Sequence, residues 1–280
     1  MAVTAEHTGA EDYQRWLEAA RAAATLPPVE PRLPLWVAGH EVGSVADDLL
    51  DENSLQRMLD KRYKLSKGER VGVLAWQLDV ALHDATPALN ALAEALREHG
   101  RCGPWRNEQL RVLTADGTQI GTVERGAVRV LGLQTRAVHL VGQLPDGRMW
   151  VQKRSSTKPN DPGMWDTLMG GMVAAQDSLP EALARETWEE AGLRVEALES
   201  LGHGGHVDFA RPSREGGGRG YMRERIDWFH AVVPEGLEPV NQDGEVERFE
   251  AWTALQVREA LLQRQFTQEA GLVIAGFDGN

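Results

Sequence analysis

The sequence predicts an α/β fold: a layered domain with a mixed sheet, preceded by a smaller α+β domain. Three observations point to it. From about residue 110 short apolar segments read as strands. One strong helix signal interrupts them at 178–191, and a last helical segment covers about 253–264. The first third of the chain mixes helical and strand-like runs. Strands around one central helix, closed by another helix, suit helices packed on a mixed sheet.

A length of 280 residues predicts one or two domains. The composition, 42% hydrophobic and 26% charged, is that of an ordinary globular protein. No apolar run reaches the length of a membrane span. The polar, acidic start over 1–10 does not read as a secretory signal. The single Cys102 excludes an internal disulfide framework and fits a reducing, cytoplasmic setting. The net charge of -12 argues against nucleic acid and membrane surfaces as partners. It leaves a phosphate-bearing small molecule open, because a dication inverts the sign of a carboxylate cluster.

The elements follow in order. Residues 11–24 place Trp16, Leu17, Ala20 and Ala24 at helical spacing before the stop at Pro27-Pro28. Residues 34–44 read as two strands about a Gly turn, 45–60 as a helix, and 71–76 as a strand. A helix is expected from Pro87 to about His99. Thr86 would be its N-cap, Leu89, Leu92 and Leu96 its buried face, and Gly100 its end. Later strands are expected at 110–113, 128–133, 137–144, 149–153, 193–201, 226–233 and 247–252, with a polar loop at 155–164. The segment Gly202-His203-Gly204-Gly205-His206 reads as a plain loop sooner than as a metal site, for want of further ligands.

The chemistry is carried by 170–193. Ser178 and Glu181 form a capping-box pattern, Pro180 is tolerated in a first turn, and Gly192 suits a helix exit. Glu186, Glu189 and Glu190 stand at i, i+3 and i+4, so all three project from one helix face. Like charges so placed repel and call for a counter-charge. Arg185 offers part of it, and hard oxygen donors in this number suit Mg²⁺ or Mn²⁺. Taken alone, such a run is a solvated acidic face. Here it stands behind a Gly-Gly turn and Asp177, and it ends Arg-Glu-x-x-Glu-Glu-x-Gly-Leu.

This segment resembles the Nudix box. Gly171, Arg185, Glu186, Glu189, Glu190, Gly192 and Leu193 match at the family's spacing. Asp177 stands where the family has Glu, one methylene shorter, and Thr187 where it has a bulky apolar residue. The resemblance implies a Nudix α/β/α sandwich over 126–280 and a metal-dependent pyrophosphohydrolase that cleaves a small-molecule diphosphate. It implies Gly171, Glu186, Glu189 and Glu190 as metal ligands, with Asp177 as a further candidate, and Arg185 as the residue holding the glutamates. Many members use a carboxylate outside the box as metal ligand or general base. Glu224 is the candidate here, with Glu245 and Glu247 as weaker rivals and a plain surface role as the alternative. Arg154 and Lys158, just ahead of the box, are candidate phosphate-binding residues or surface charges.

The resemblance extends to Gly103-Pro104-Trp105-Arg106-Asn107-Glu108, Val123-Glu124-Arg125, Lys153-Arg154-Ser155 and Pro162-Gly163-Met164-Trp165-Asp166. These are similar to a Nudix subgroup associated with thiamine pyrophosphokinase, whose members carry an N-terminal domain of unassigned role, here 1–125. It implies thiamine diphosphate, or its oxidised analogues, cut to the monophosphate. Another nucleoside or coenzyme diphosphate is the alternative. Trp105, Trp150 and Trp165 read as core sooner than as rings stacked on a substrate. Arg211, Arg214, Arg219, Arg223 and Arg225 surround a Gly run that reads as a flexible loop or an anion-binding lid. Two rivals differ in class: an isomerase of isopentenyl diphosphate type, which needs a reactive Cys, and a non-catalytic ligand sensor. The oligomeric state is left open.

Overall fold

The computed structural model describes residues 2–50, 59 and 63–279, with side chains from residue 10 onward. Helix α1 (Ala2–Ala24) leads into β1 (Arg32–Val37) and β2 (His40–Ala46). Then come β3 (Lys64–Arg70), β4 (Val73–Asp79), α2 (Ala85–Glu98) and the hairpin β5 (Gln109–Leu113) and β6 (Gln119–Glu124). The first four strands form a sheet of order β2-β1-β4-β3, in which β1 and β4 are parallel. The expected helix at 45–60 falls largely on 51–58 and 60, outside the described residues. Its described start is the end of β2 followed by a turn over 47–50.

The second part contains β7 (Gln134–Gln143), β8 (Met149–Arg154), β9 (Trp165–Asp166), β10 (Met169–Met172) and α3 (Leu179–Ala191). They are followed by β11 (Glu199–Ser213), β12 (Gly220–Val232), β13 (Val246–Trp252), α4 (Ala254–Leu262) and α5 (Gln268–Asp278). The sheet runs β11-β12-β7-β8-β13, with β10 added along β7 and β9 along β8. β12 and β7 are parallel and the other pairs antiparallel, so the sheet is mixed as expected. One sheet face packs on α3 through Val138, Leu140, Leu183 and Ala231. The other face carries Ala137, Ile226 and Trp228 into a larger core that continues through Leu131 and Leu92 to Leu35.

Several expectations are corrected. Residues 128–132 are turns, closed by Leu131 N–H to Ala127 O and Leu133 N–H to Val128 O. Their alternating valines are buried all the same, which is why an apolar period of two misleads here. Thr86 lies inside α2 and not at its cap; its hydroxyl accepts the Thr122 N–H of β6 at 3.0 Å. The segment 202–206 is part of β11. Its glycines hide the strand from propensity but are needed for packing, because a Cβ on Gly204 would overlap the Trp228 ring. Helix α5 escapes detection for a related reason. Residues Ala270–Ala275 are buried on every side, so there is no polar face to mark a helical period, and Gly271 admits Trp16 of α1.

Candidate active site

The helix carrying the box is fixed at both ends. The Ser178 hydroxyl accepts the Glu181 N–H, while the Glu181 carboxylate accepts the Ser178 N–H at 2.8 Å. Gly192 closes the helix in the left-handed region, at φ 63°. So anchored, α3 points Glu186, Glu189 and Glu190 into one cleft of about 600 Å³.

Arg185 organises two of the three glutamates. Its Nε donates to Asp177 Oδ2 at 2.8 Å, and its Nη1 to Glu186 Oε1 at 2.9 Å and Glu189 Oε2 at 3.0 Å. Its Nη2 reaches the Met172 carbonyl at 3.1 Å, tying the helix to β10. Burial disfavours the Arg185 charge, yet Glu186, Asp177 and Glu189 together raise its pKa. Glu190 is held separately. Its Oε2 accepts from Gln152 Nε2 at 2.9 Å and from the Gly170 N–H at 3.1 Å, and its Oε1 pairs with Lys158 Nζ at 3.0 Å. Gly171 is required by Glu186 itself, since a Cβ there would overlap the glutamate's carboxyl carbon. Burial, resisted by Arg185 and reinforced by Glu190, pushes Glu186 up to about 8.

The facing walls come from elsewhere. The end of β8 brings Arg154, the loop after it brings Lys158, and the turn before β13 brings Asp243 and Glu245. Arg154 is a brace: its Nη1 pairs with Asp166 Oδ2 at 3.0 Å and its Nη2 holds the Asn160 carbonyl at 3.1 Å. Lys158 bridges Glu190 and Glu245, the latter at 2.6 Å. The remaining wall belongs to the part of the chain before residue 126, with Arg106, Glu108 and Arg125.

The structure therefore gathers Gly171, Arg185, Glu186, Glu189, Glu190, Arg154 and Lys158 around one space. Two sequence candidates stand apart from it. Asp177 does not line the cleft; despite its shorter side chain it reaches Arg185 and positions it. Glu224 is buried on β12, where its carboxylate accepts the Thr135 hydroxyl at 3.0 Å, and it is absent from the cleft lining. Glu245 lines the cleft, whereas Glu247 is exposed beside Arg248. None of Trp105, Trp150 and Trp165 lines it. Trp165 packs on Trp252 with ring centroids 4.4 Å apart. The arginines near the Gly run are spread over β11, β12 and the turn between them: Arg211 pairs with Glu269, Arg219 with Asp48, and Arg225 with Asp227. Gln152, Arg106 and Arg125 were not read as site residues from sequence. Arg106 and Arg125 lie in segments that carry the subgroup resemblance, which was their only signal; Gln152 had none.

Among the described residues no three His, Cys, Asp or Glu side chains already converge as an ion cage. The donors nevertheless fit a hard dication. Glu186, Glu189 and Glu190 supply carboxylate oxygens on one wall, and buried Glu186 lacks enough positive charge to ionise at its ordinary pKa. Glu186 and Glu189 now face Arg185, which is the partner an ion would relieve.

An α/β/α arrangement with a mixed sheet and a glutamate-bearing helix beside a Gly-Gly strand defines a class of fold with one acidic cleft. The NUDIX domain profile matches residues 133–275, and the chain belongs to that family. Among curated relatives it is 31% identical over 163 residues to Nudix hydrolase 24, chloroplastic, of Arabidopsis thaliana, covering 56% of this chain and 43% of that protein. It is 28% identical over 202 residues to Nudix hydrolase 20, chloroplastic, of the same plant, covering 69% and 52%. The chain thus spans about half the length of the curated relatives it matches. Among solved structures, DR0079 of Deinococcus radiodurans superposes with a TM-score of 0.46 at 19% identity, over 61% of this chain and 98% of that one. Among the described residues no helix is long and apolar enough to cross a membrane.

Proposed function

We propose that this protein is a metal-dependent pyrophosphohydrolase acting on a phosphoric anhydride of a small-molecule diphosphate. The observation that carries this reading is the shared wall: Glu186, Glu189 and Glu190 beside Gly171, with Arg185 forked between the first two. Mg²⁺ or Mn²⁺ held there would neutralise the diphosphate and acidify a bound water. Glu186, Glu189, Glu190 and Gly171 would hold the metal, while Arg185 orients Glu186 and Glu189, and Asp177 orients Arg185. Arg154 ties down the β8–β9 loop, which lines the cleft, through the Asp161 and Asn160 carbonyls. Lys158 offers its ammonium to phosphate once it is released from Glu190 and Glu245. Of the carboxylates outside the box, Glu245 replaces Glu224 as the candidate base, because it lines the cleft. Burial pushes Glu245 up, but Lys158 beside it holds it below its ordinary pKa, so it is ionised and able to accept a proton at neutral pH.

The chain is read as two regions, an N-terminal α+β domain over 1–125 and a Nudix hydrolase domain over 126–280; the profile match beginning at 133 supports the second. Thiamine diphosphate or its oxidised analogues, cut to the monophosphate, is the preferred substrate, on the strength of the subgroup resemblance. Nucleoside and coenzyme diphosphates are the alternative. The isomerase reading is disfavoured, because Cys102 lies outside the cleft and burial pushes its thiol up to about 11.

The test is turnover of a panel with Mg²⁺: thiamine diphosphates, nucleoside diphosphates, sugar nucleotides and coenzyme diphosphates, with products identified by mass. Glu189→Gln and Glu190→Gln should each lower turnover roughly 10²-fold or more, since even groups behind a metal ligand cost up to that much. Full activity in either variant, or binding of every panel member without cleavage, would remove the reading.

A further inference from the structure

Among the described residues five cationic side chains line the cleft, and four of them already pair with a carboxylate. Arg125 pairs with Glu108 at 2.7 Å and Arg154 with Asp166 at 3.0 Å; Lys158 and Arg185 are held by the glutamates described above. The fifth, Arg106, makes no side-chain ion pair or hydrogen bond among the described residues, and it is exposed on the cleft wall.

Its backbone is anything but loose. The Arg106 N–H donates at 2.7 Å to Glu124 Oε1, and the Glu124 carboxylate is only 1% exposed. That carboxylate also accepts the Gly126 N–H, capping the turn that carries Arg125. The segment is tied twice more, by Gly103 N–H to Gly126 O at 2.7 Å and by Arg125 N–H to Glu108 O at 2.8 Å. Trp105 lies under the Arg97 guanidinium at 4.5 Å and donates to Asn107 Oδ1. A buried carboxylate spent on fixing the main chain of an exposed, unpaired arginine is a built support for an arm.

The arm lines the same cleft as the box glutamates. Arg106 is close enough to Glu245 on the far wall to help lower its pKa. The cleft lining holds no Phe, Tyr or Trp among the described residues and is mostly charged and polar, which suits the phosphate end of a substrate. A planar guanidinium with free donors in such a space is suited to paired phosphate oxygens.

We propose that Arg106, outside the family match at 133–275, is a substrate-binding residue that grips the phosphate distal to the metal-bound one. The N-terminal region thereby completes the active cleft. This rests on the hydrolase reading above, which fixes which wall carries the metal. It assigns the region before residue 126 a part in the site: Glu124 positions the arm, and Arg106 makes the contact.

The experiment uses the full chain with inorganic pyrophosphate as the probe. Pyrophosphate affinity is measured by calorimetry with Ca²⁺ present to suppress turnover, and Mn²⁺ affinity by electron paramagnetic resonance without pyrophosphate. Arg106→Ala should weaken pyrophosphate binding at least tenfold and leave Mn²⁺ affinity and the thermal midpoint in place. Arg106→Lys should fall between, keeping charge but losing the fork. With the best substrate of the panel the loss should appear in KM more than in kcat. Unchanged pyrophosphate affinity and KM in Arg106→Ala would overturn this inference while turnover by the parent protein leaves the hydrolase reading standing. Equal loss of Mn²⁺ binding would also overturn it, by showing a structural role. A parent protein that binds neither Mn²⁺ nor pyrophosphate would remove both.

Discussion

The two sides of the cleft are built on opposite plans. On the α3 side the carboxylates share their cations: Arg185 serves Asp177, Glu186 and Glu189, and Lys158 serves Glu190. On the side contributed by the segment before residue 126, main-chain hydrogen bonds do the fixing and the Arg106 guanidinium is left unpaired. The difference teaches where each wall is committed. On the proposed reading, the glutamate wall is a paired network that a cation would open, whereas the arginine wall keeps donors free for an anion.

The strongest way to break that contrast is at Gly171. Gly171→Ala puts a methyl where the Glu186 carboxyl group lies, forcing one of them to move. Turnover should fall roughly 10²-fold or more and Mn²⁺ affinity with it, as expected when a metal ligand is displaced. Wild-type Mn²⁺ titration in this variant would show that the close approach has no functional weight.

A second test uses pH. Glu186 ionises near 4.5 in the unfolded chain and near 8 in the fold. A raised carboxyl pKa contributes stability below the lower value, and that contribution is lost as pH climbs to the higher one. Metal-free protein should therefore lose stability across this window. Mg²⁺, by compensating the ionised form, should stabilise progressively more as pH rises. The measurement is the thermal midpoint with EDTA and with Mg²⁺; a Mg²⁺ increment equal at both ends of the window would contradict it.

A smaller effect is expected where the two sides meet. Arg111 of β5 donates through Nε to the Ala175 carbonyl at 2.8 Å and through Nη2 to the Asp177 carbonyl at 2.7 Å. Arg111→Ala should cost about 2 kcal/mol of stability in urea unfolding, the scale of hydrogen bonds from a charged donor. A loss within experimental error would mean that the loop before α3 holds itself.

Much of the glutamate wall was legible in the sequence. Ser178, Glu181 and Gly192 announce the ends of the helix, and the i, i+3, i+4 spacing predicts the shared cleft. Those signals are local, lying within one helix. What escaped was long-range. Nothing near Gln152 announces that it meets Glu190 from another strand, and nothing near Glu245 announces its bridge to Lys158. Glu224 looked promising as a carboxylate ahead of a strand, yet pairing with β7 turns it toward Thr135. The fold shows the same division. Strands β7 and β13 carry apolar patterns of their own, while β11 is glycine-rich because Trp228 needs the room.

Helix α1 and the residues just after it join β11, β12 and α5. The Leu26 N–H reaches the Ala210 carbonyl at 2.8 Å, Tyr221 Oη returns a hydrogen bond to the Leu26 carbonyl, and Gln268 Nε2 holds the Ala20 carbonyl. The segment 20–26 thus acts as a buckle on β11, β12 and α5. Deleting it would unfasten α5 and β11 without touching a cleft residue, so an inactive short form would speak about the clasp before it spoke about the chemistry.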